Sequence, residues 1–231
     1  MCGRFARHST LQEFVALIPG LSADGKATLK PRYNIAPSQA LLLARNADTG
    51  GREWVSLYWG LLPHWAKDTK ARKPINARAE TVHERPYFRV PFRRRRCLIA
   101  ADGYYEWARL PGGRKQPYYI TLGSGGPFAF AGLWNRCVTA AGPVETCCIL
   151  TTAANEATRA IHGRMPVIVD PGDFDRWLDP DIERREPLES VLSAYPSDAM
   201  RAHAVSTLVN DPANDSPRCL EPVPAQAPPA T

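Results

Sequence analysis

Long apolar runs are missing from this sequence. No stretch approaches the roughly 20 residues that a membrane helix needs, and the start, MCGRFARHST, has no apolar signal-peptide core. The expected setting is a reducing cytoplasm (nucleoid-associated if the source is bacterial), with no membrane partner. No C-x-x-C occurs, and the six cysteines, at 2, 97, 137, 147, 148 and 219, share no repeating spacing. The five histidines do not pair with them at finger-like intervals. A disulfide scaffold and a structural zinc site are both excluded on that pattern, and no metal or cofactor is expected. Internal repeats and Gly/Ser linkers are absent as well. What is present is ordinary globular material: 231 residues, 44% hydrophobic and 23% charged, which rules out a disordered, collagen-like or coiled-coil chain.

The hydrophobic pattern is mixed and rich in short strands. Ser9 is placed to cap a helix running through Leu11, Phe14, Val15 and Ile18. Strands are expected at 41–44, 53–59, 117–122, 128–133, 145–151 and 166–169. Residues 97–101 and 104–107 flank Asp102-Gly103 as a hairpin or tight turn would, and helices are expected over 154–161, 172–178 and 187–194. Local strand pairing without βαβ alternation predicts an α+β fold, a single domain with an antiparallel, barrel-like sheet core flanked by short helices. The domain should span 1–215. Residues 216–231, SPRCLEPVPAQAPPAT, are Pro/Ala-rich and predict a disordered tail.

The formal charge is +6, a moderate excess in which arginine outweighs lysine. Arg93 to Arg96 form an unbroken run, while Arg4, Arg32, Arg78 and Arg164 sit in compact motifs. Arginine is the better phosphate fork, so a polyanionic partner fits.

Cys2 is the most chemically specific residue. Removal of Met1 would leave an amine and a thiol on adjacent carbons, and the α-amine, with a reference pKa near 8, is partly neutral at physiological pH. Such a pair reacts with an aldehyde in two steps. The amine forms an imine, and the thiol closes on the same carbon to give a five-membered thiazolidine. Against this, chain starts are usually frayed and functionless. Glu106, between Tyr105 and Trp107, could shuttle protons if buried or lie idle on an exposed strand face. His162, beside Gly163, could serve as an acid or base or as a helix cap. Asn76 and Arg78 at i and i+2 could serve one ligand from a loop or open a helix. Trp59 and Trp65, around Gly60 and Pro63, suit base stacking or core packing.

Taken in order, MCGRF, PRYNIAP at 31–37, WGLLPHW, NARAET, DGYYEW, FAGLW at 130–134, TT-AN at 151–155, HGRMPVI, and Val205-Ser206 with Asn210 resemble the SRAP family, the SOS-response-associated peptidases, also called abasic-site processing proteins. The resemblance covers about residues 2–211. It implies binding of single-stranded DNA that holds an abasic site, and capture of the ring-opened sugar's aldehyde by the N-terminal cysteine as a thiazolidine crosslink. It also implies self-removal of Met1, crosslink reversal and a weak abasic-site lyase activity.

By resemblance, Cys2 supplies amine and thiol, Asn76 positions the Cys2 end, Glu106 moves protons, and His162 assists sugar ring opening. Arg4, Arg78 and Arg164 would hold phosphates, and Trp65 with Pro63 would stack or wedge against bases. Asn34 and Pro37, in PRYNIAP, and Thr151, in TT-AN, would complete the DNA contact. A monomer is expected. Three rivals stay open. The Met-Cys-Gly start also fits a glutamine amidotransferase with a cysteine nucleophile, the arginines and tryptophans fit a non-covalent single-strand binder, and the family's older name fits a protease acting on other proteins.

Overall fold

The computed structural model describes residues 2–21, 29–140 and 142–225. In chain order the elements begin with β1 (Phe5–Arg7), α1 (Leu11–Leu17), β2 (Arg32–Ile35), β3 (Ala40–Asn46), β4 (Arg52–Trp59) and β5 (Asn76–Arg78). Then come α2 (Pro86–Arg94), β6 (Arg96–Ala101), β7 (Gly103–Arg109), β8 (Lys115–Leu122), β9 (Phe128–Thr139) and β10 (Gly142–Ala153). β11 (Arg164–Pro166), β12 (Ile168–Val169), α3 (Phe174–Leu178) and β13 (Met200–Ala204) complete the set.

Five of these strands close on themselves. β3 pairs with β4 and β6, β6 with β9, β9 with β10, and β10 with β4. A second, open sheet has the order β13-β8-β7-β1-β2. The barrel-like α+β expectation holds, with one correction: β10 runs parallel to β4 and to β5, so the larger sheet is mixed.

β6, most of β3, the first half of β9 and the second half of β10 are buried on both faces and read as apolar runs, whereas β4 and the end of β9 alternate between buried and exposed residues. Leu42, Ala44, Leu98, Ala100, Ala129 and Ala131 pack with Phe14 of α1, Phe92 of α2 and Trp177 of α3. The alternate residues Leu41, Leu43, Cys97, Ile99, Phe128 and Phe130 join Phe5, Tyr104 and Ile120 of the open sheet, and Cys2 lies in that cluster.

Several local expectations are corrected. Residues 97–101 and 104–107 form no hairpin, because at Asp102 the chain leaves the barrel for the open sheet. The Asp102 carboxylate ties down the end of β1, accepting from the His8 N–H (2.5 Å), the Ser9 N–H (2.9 Å) and the Ser9 hydroxyl. Ser9 is thereby occupied, and Thr10 caps α1 in a capping box with Glu13. Gly103 is required at the crossing, since a Cβ there would lie 2.3 Å from Cζ of Tyr119.

The helix expected over 154–161 is a series of turns, pinned where the Asn155 amide donates to the Tyr195 carbonyl (2.7 Å). Over 187–194 only a 3-10 turn at Glu186–Leu188 and further turns form. Asn76–Arg78 is a strand on β10, not a loop. The segment from 216 is packed as far as it is described: Cys219 is buried and Val205 bridges Pro222. Its remainder, 226–231, lies outside the described residues.

The arginine run is divided among four tasks. Arg96 is buried, and its guanidinium donates to the carbonyls of Phe92 and Arg93 at the end of α2 and of Trp177 and Asp179 at the end of α3. It satisfies the orphan carbonyls of two helices at once. Arg95 donates to Asn135 Oδ1 and lies over Trp134, Arg94 pairs with Glu183, and Arg93 stays exposed. Replacing Arg96 with Met should cost about 2–5 kcal/mol, since four carbonyls lose their donor. A urea titration with an unchanged slope and a lower midpoint is the expected readout.

Candidate active site

The first strand creates the site. β1 lies between β2 and β7, with Phe5 opposite both Ile35 and Tyr104. Phe5 anchors it through edge contacts with Trp59 (5.5 Å) and Phe130 (5.6 Å). The Tyr105 N–H donates to the Arg4 carbonyl (2.9 Å), extending the pairing toward the chain start. Cys2 thus runs beside β7 and is fully buried. Tyr104 and Glu106, two apart on β7, project to one face, and both are buried.

The electrostatics follow from that burial. Burial pushes the Cys2 thiol well up, and the charge of Glu106 adds to the effect, so the thiol is held neutral. Burial also raises the Glu106 carboxyl above the usual carboxylate range, while the His162 imidazole works the other way. The Tyr104 phenol is raised by burial and by the neighbouring charges of Cys2 and Glu106. These groups share one low-dielectric pocket of the fold.

His162 Nδ1 stands 4.0 Å from Glu106 Oε1. His162 Nδ1 lies 3.0 Å from the Arg164 N–H and 3.1 Å from the Arg164 carbonyl, so either neutral tautomer finds a partner on that residue. Arg164, on β11, forks onto the Glu80 carboxylate (2.5 and 3.0 Å) and donates to the Thr151 carbonyl (2.6 Å). β5 lies along the other side of β10, with Asn76 opposite Ile149 and the exposed Arg78 opposite Thr151. The Asn76 amide donates to the Ile149 carbonyl (3.5 Å), and its buried Oδ1 has no hydrogen-bond partner among the described residues. Asn76 and Arg78, two apart, therefore share a side of an edge strand.

The expected residues divide accordingly. Cys2, Glu106 and His162 come together. Asn76, Arg78, Thr151 and Arg164 line the adjoining β5–β10–β11 edge, joined to them through the His162–Arg164 contact. Arg4 donates from Nη1 to both Asn34 Oδ1 (2.8 Å) and the Val209 carbonyl (2.6 Å), and its buried Nε has no hydrogen-bond partner among the described residues. Asn34 is buried and donates to the carbonyls of Val209, Asp211 and Asn214, so it supports rather than contacts a ligand. Thr151 is buried, and its polar atoms face Arg164 and the Ala77 carbonyl. Pro63 is buried and offers no wedge, whereas Trp65 is 47% exposed and packs edge-on to His64 and Tyr87. Pro37 is half-buried in the turn before β3. Glu80 and Tyr104 were not singled out from sequence. Their signals were a carboxylate two residues after Arg78 and a phenol two residues before Glu106. Among the described residues no group of three or more His, Cys, Asp or Glu gathers to hold a metal, and no helix is long and apolar enough to cross a membrane.

The family model of the SOS response associated peptidases (SRAP) matches residues 1–212. The chain belongs to this family. Its SRAP sequence is 45% identical over 226 residues to the abasic site processing protein YoqW of Bacillus subtilis (strain 168), covering 96% of this chain and 99% of that one. It is 31% identical over 232 residues to the abasic site processing protein YedK of Escherichia coli (strain K12), covering 96% and 100%. The SRAP fold is also that of a Bacteroides thetaiotaomicron protein solved by X-ray crystallography, with a TM-score of 0.85, 27% identity, and 96% and 100% of the two chains covered.

The raised Glu106 carboxyl in this SRAP site sets a pH signature. A folded value above the unfolded one, about 4.3, means that protonation favours the folded state. Its stabilising contribution is complete below the unfolded value and is lost as pH rises through the folded one. Wild type should therefore gain stability relative to Glu106→Gln as pH falls from neutrality into the carboxylate range. Paired thermal melts across that window would check it, and a gap that does not move with pH would contradict a raised Glu106.

Proposed function

We propose that this chain processes abasic sites in DNA, capturing the aldehyde of the ring-opened sugar in single-stranded DNA with Cys2. The observation that carries the reading is the β1–β7 pairing, which sets Cys2 beside the buried carboxylate of Glu106. The relatives' shared name, abasic site processing protein, supports the same substrate.

In the proposed sequence Met1 is removed first, by the chain itself, and the α-amine of Cys2 becomes free. A ring N–H of His162 gives its proton to the sugar ring oxygen as the C1′–O bond breaks, and the C1′ hydroxyl returns a proton to the imidazole as it becomes the aldehyde. The amine adds to C1′ and water leaves, giving an imine. The thiol then forms the S–C1′ bond while its proton passes, by way of Glu106, to the nitrogen. The net change is aldehyde, amine and thiol to thiazolidine and one water. A thiol held neutral by burial still closes the ring, because Glu106 lies near enough in charge and place to accept its proton. Running the steps backward through Glu106 reverses the crosslink, and loss of a sugar proton at the imine stage would cut the strand as a weak lyase. Arg164 and Arg78 would hold flanking phosphates, Asn76 the Cys2 end, and Trp65 would stack on a base. The protein would act as a monomer, in the cytoplasm or on the nucleoid.

A denaturing gel tests this. Protein free of Met1 is mixed with a labelled single strand carrying one abasic site, beside an intact strand. Wild type should give a heat-resistant shifted band on the abasic strand only, Cys2→Ala should give none, and Glu106→Gln should form it about 10²-fold or more slowly. No band with wild type, joined to glutaminase activity, would place the chain with the amidotransferases instead.

A further inference from the structure

One group of exposed cations that the site does not use lies along α2 and the loop before β5. Arg85, just before α2, and Arg89 and Arg93 on it are all exposed and four residues apart. A four-residue step advances about 6 Å along a helix and turns about 40°, so Arg89 and Arg93 stand about one turn apart on neighbouring sides of α2, and Arg85, at its N-cap, stands at the end of the same stripe. The loop at 63–75 packs on the start of this helix, where Trp65 meets Tyr87 edge-on at 5.4 Å and the Tyr87 hydroxyl donates to the Arg72 carbonyl (3.4 Å). It brings Lys67, Lys70, Arg72 and Lys73, all exposed apart from their stems.

Residues 63–93 hold eight Lys and Arg against three carboxylates. Two of those carboxylates are engaged, Glu80 on Arg164 and Glu84 on His83 (3.3 Å), and the third, Asp68, accepts from the Lys70 N–H (2.7 Å). Among the described residues, Lys67, Lys70, Arg72, Lys73, Arg85, Arg89 and Arg93 have no ion pair. Other arginines nearby are paired, the exposed Arg94 with Glu183 and Arg184 with Glu186, and the half-buried Arg185 with Glu189. Like charges at i and i+4 repel along a helix, so Arg89 and Arg93 are held together at a cost that a polyanion would relieve. At its far end the stripe enters a cleft lined by His83, Arg184 and Arg185, where Glu183 and Glu186 end the positive surface.

We propose that this surface carries the DNA strand onward from the lesion. Arg85, Arg89 and Arg93 grip successive backbone phosphates of the nucleotides flanking the abasic site, beyond the point where Trp65 stacks on a base. The grip is independent of sequence, as phosphate contacts are. It lengthens the footprint from the lesion pocket along α2 and ends at the Glu183 and Glu186 carboxylates. The inference rests on abasic-site DNA being the substrate.

The test separates the two. Binding is measured by fluorescence anisotropy over a range of salt, with abasic single strands of about 5 and about 20 nucleotides, bracketing usual site sizes. The variants are Arg89→Ala/Arg93→Ala, which keep a good helix former on an exposed face, and the charge reversal Arg89→Glu. On the long strand the double variant should lower the slope of log affinity against log salt by about 1.4, close to 0.7 per lost phosphate contact. On the short strand slope and affinity should match wild type, and the crosslinked band should form at the wild-type rate. Arg89→Glu should weaken the long strand further and spare the short one. An unchanged slope on the long strand would overturn the stripe, as would equal weakening of both lengths, which marks a diffuse field effect. Failure of wild type to crosslink either strand would instead remove the abasic-site reading itself.

Discussion

Everything distinctive in this molecule depends on where the first strand is threaded. β1 is only three residues long, yet it is held on both edges, by β2 and by β7, and from its face by Phe5 against Trp59 and Phe130. A chain start left free would fray. Held this way, Cys2 is immobilised among apolar neighbours beside the one carboxylate of β7, and burial then does the electrostatic tuning without any metal-ligand cluster in the described residues. The same low dielectric that keeps the thiol neutral raises the carboxyl above the usual carboxylate range.

A second ring of contacts keeps that strand in place. Asp215 accepts from the backbone N–H groups of Tyr33 (2.5 Å) and Asn34 (2.9 Å) and pairs with Arg32. Asn34 in turn holds three carbonyls of the segment 209–214, and Arg4 joins Asn34 to Val209. Trp107 Nε1 donates to Asn210 Oδ1 (2.8 Å). Residues with the look of ligand contacts, Arg4 and Asn34 above all, are therefore the fasteners of the sheet that carries Cys2 and Glu106. The division matters chemically, because Arg4 commits one guanidinium nitrogen to two internal acceptors, whereas the exposed Arg78, on an edge strand, makes no side-chain hydrogen bond among the described residues.

The family and the candidate residues were legible in the sequence, and the geometry that brings those residues together was not. An amine and a thiol on Cys2 are readable from its position alone. Glu106 in an aromatic strand and His162 beside a glycine each admitted a bland alternative, and only the order of motifs singled them out. Most barrel strands were found because two-sided burial makes long apolar runs, but their pairing was misread at Asp102, where a turn signal marks a passage between sheets. Turn chemistry alone cannot tell a hairpin from such a crossing. The helix expected at 154–161 failed because Asn155 is claimed by Tyr195, a contact 40 residues away that no local pattern shows. Thr151 and Pro63 carried the right motifs but are buried, and Asp215 went unnoticed because it sits at the edge of a stretch that looked like tail. The arginine run looked like one feature. It is four residues with four fates, only one of which faces outward unpaired.

The clasp between Arg4 and Val209 also sets a timetable. The two residues are 205 apart in sequence, which at ordinary synthesis rates separates their appearance by roughly 10 to 40 s. Through that interval the newborn chain carries its cysteine without the segment that fastens the strand behind it. Glu106 is already made by then, so what the chain lacks in that interval is the fastening of β1 and not the carboxylate beside Cys2. The fastening of β1 waits on residues 209–214, and a chain that stops short of them would hold β1 by its strand partners alone.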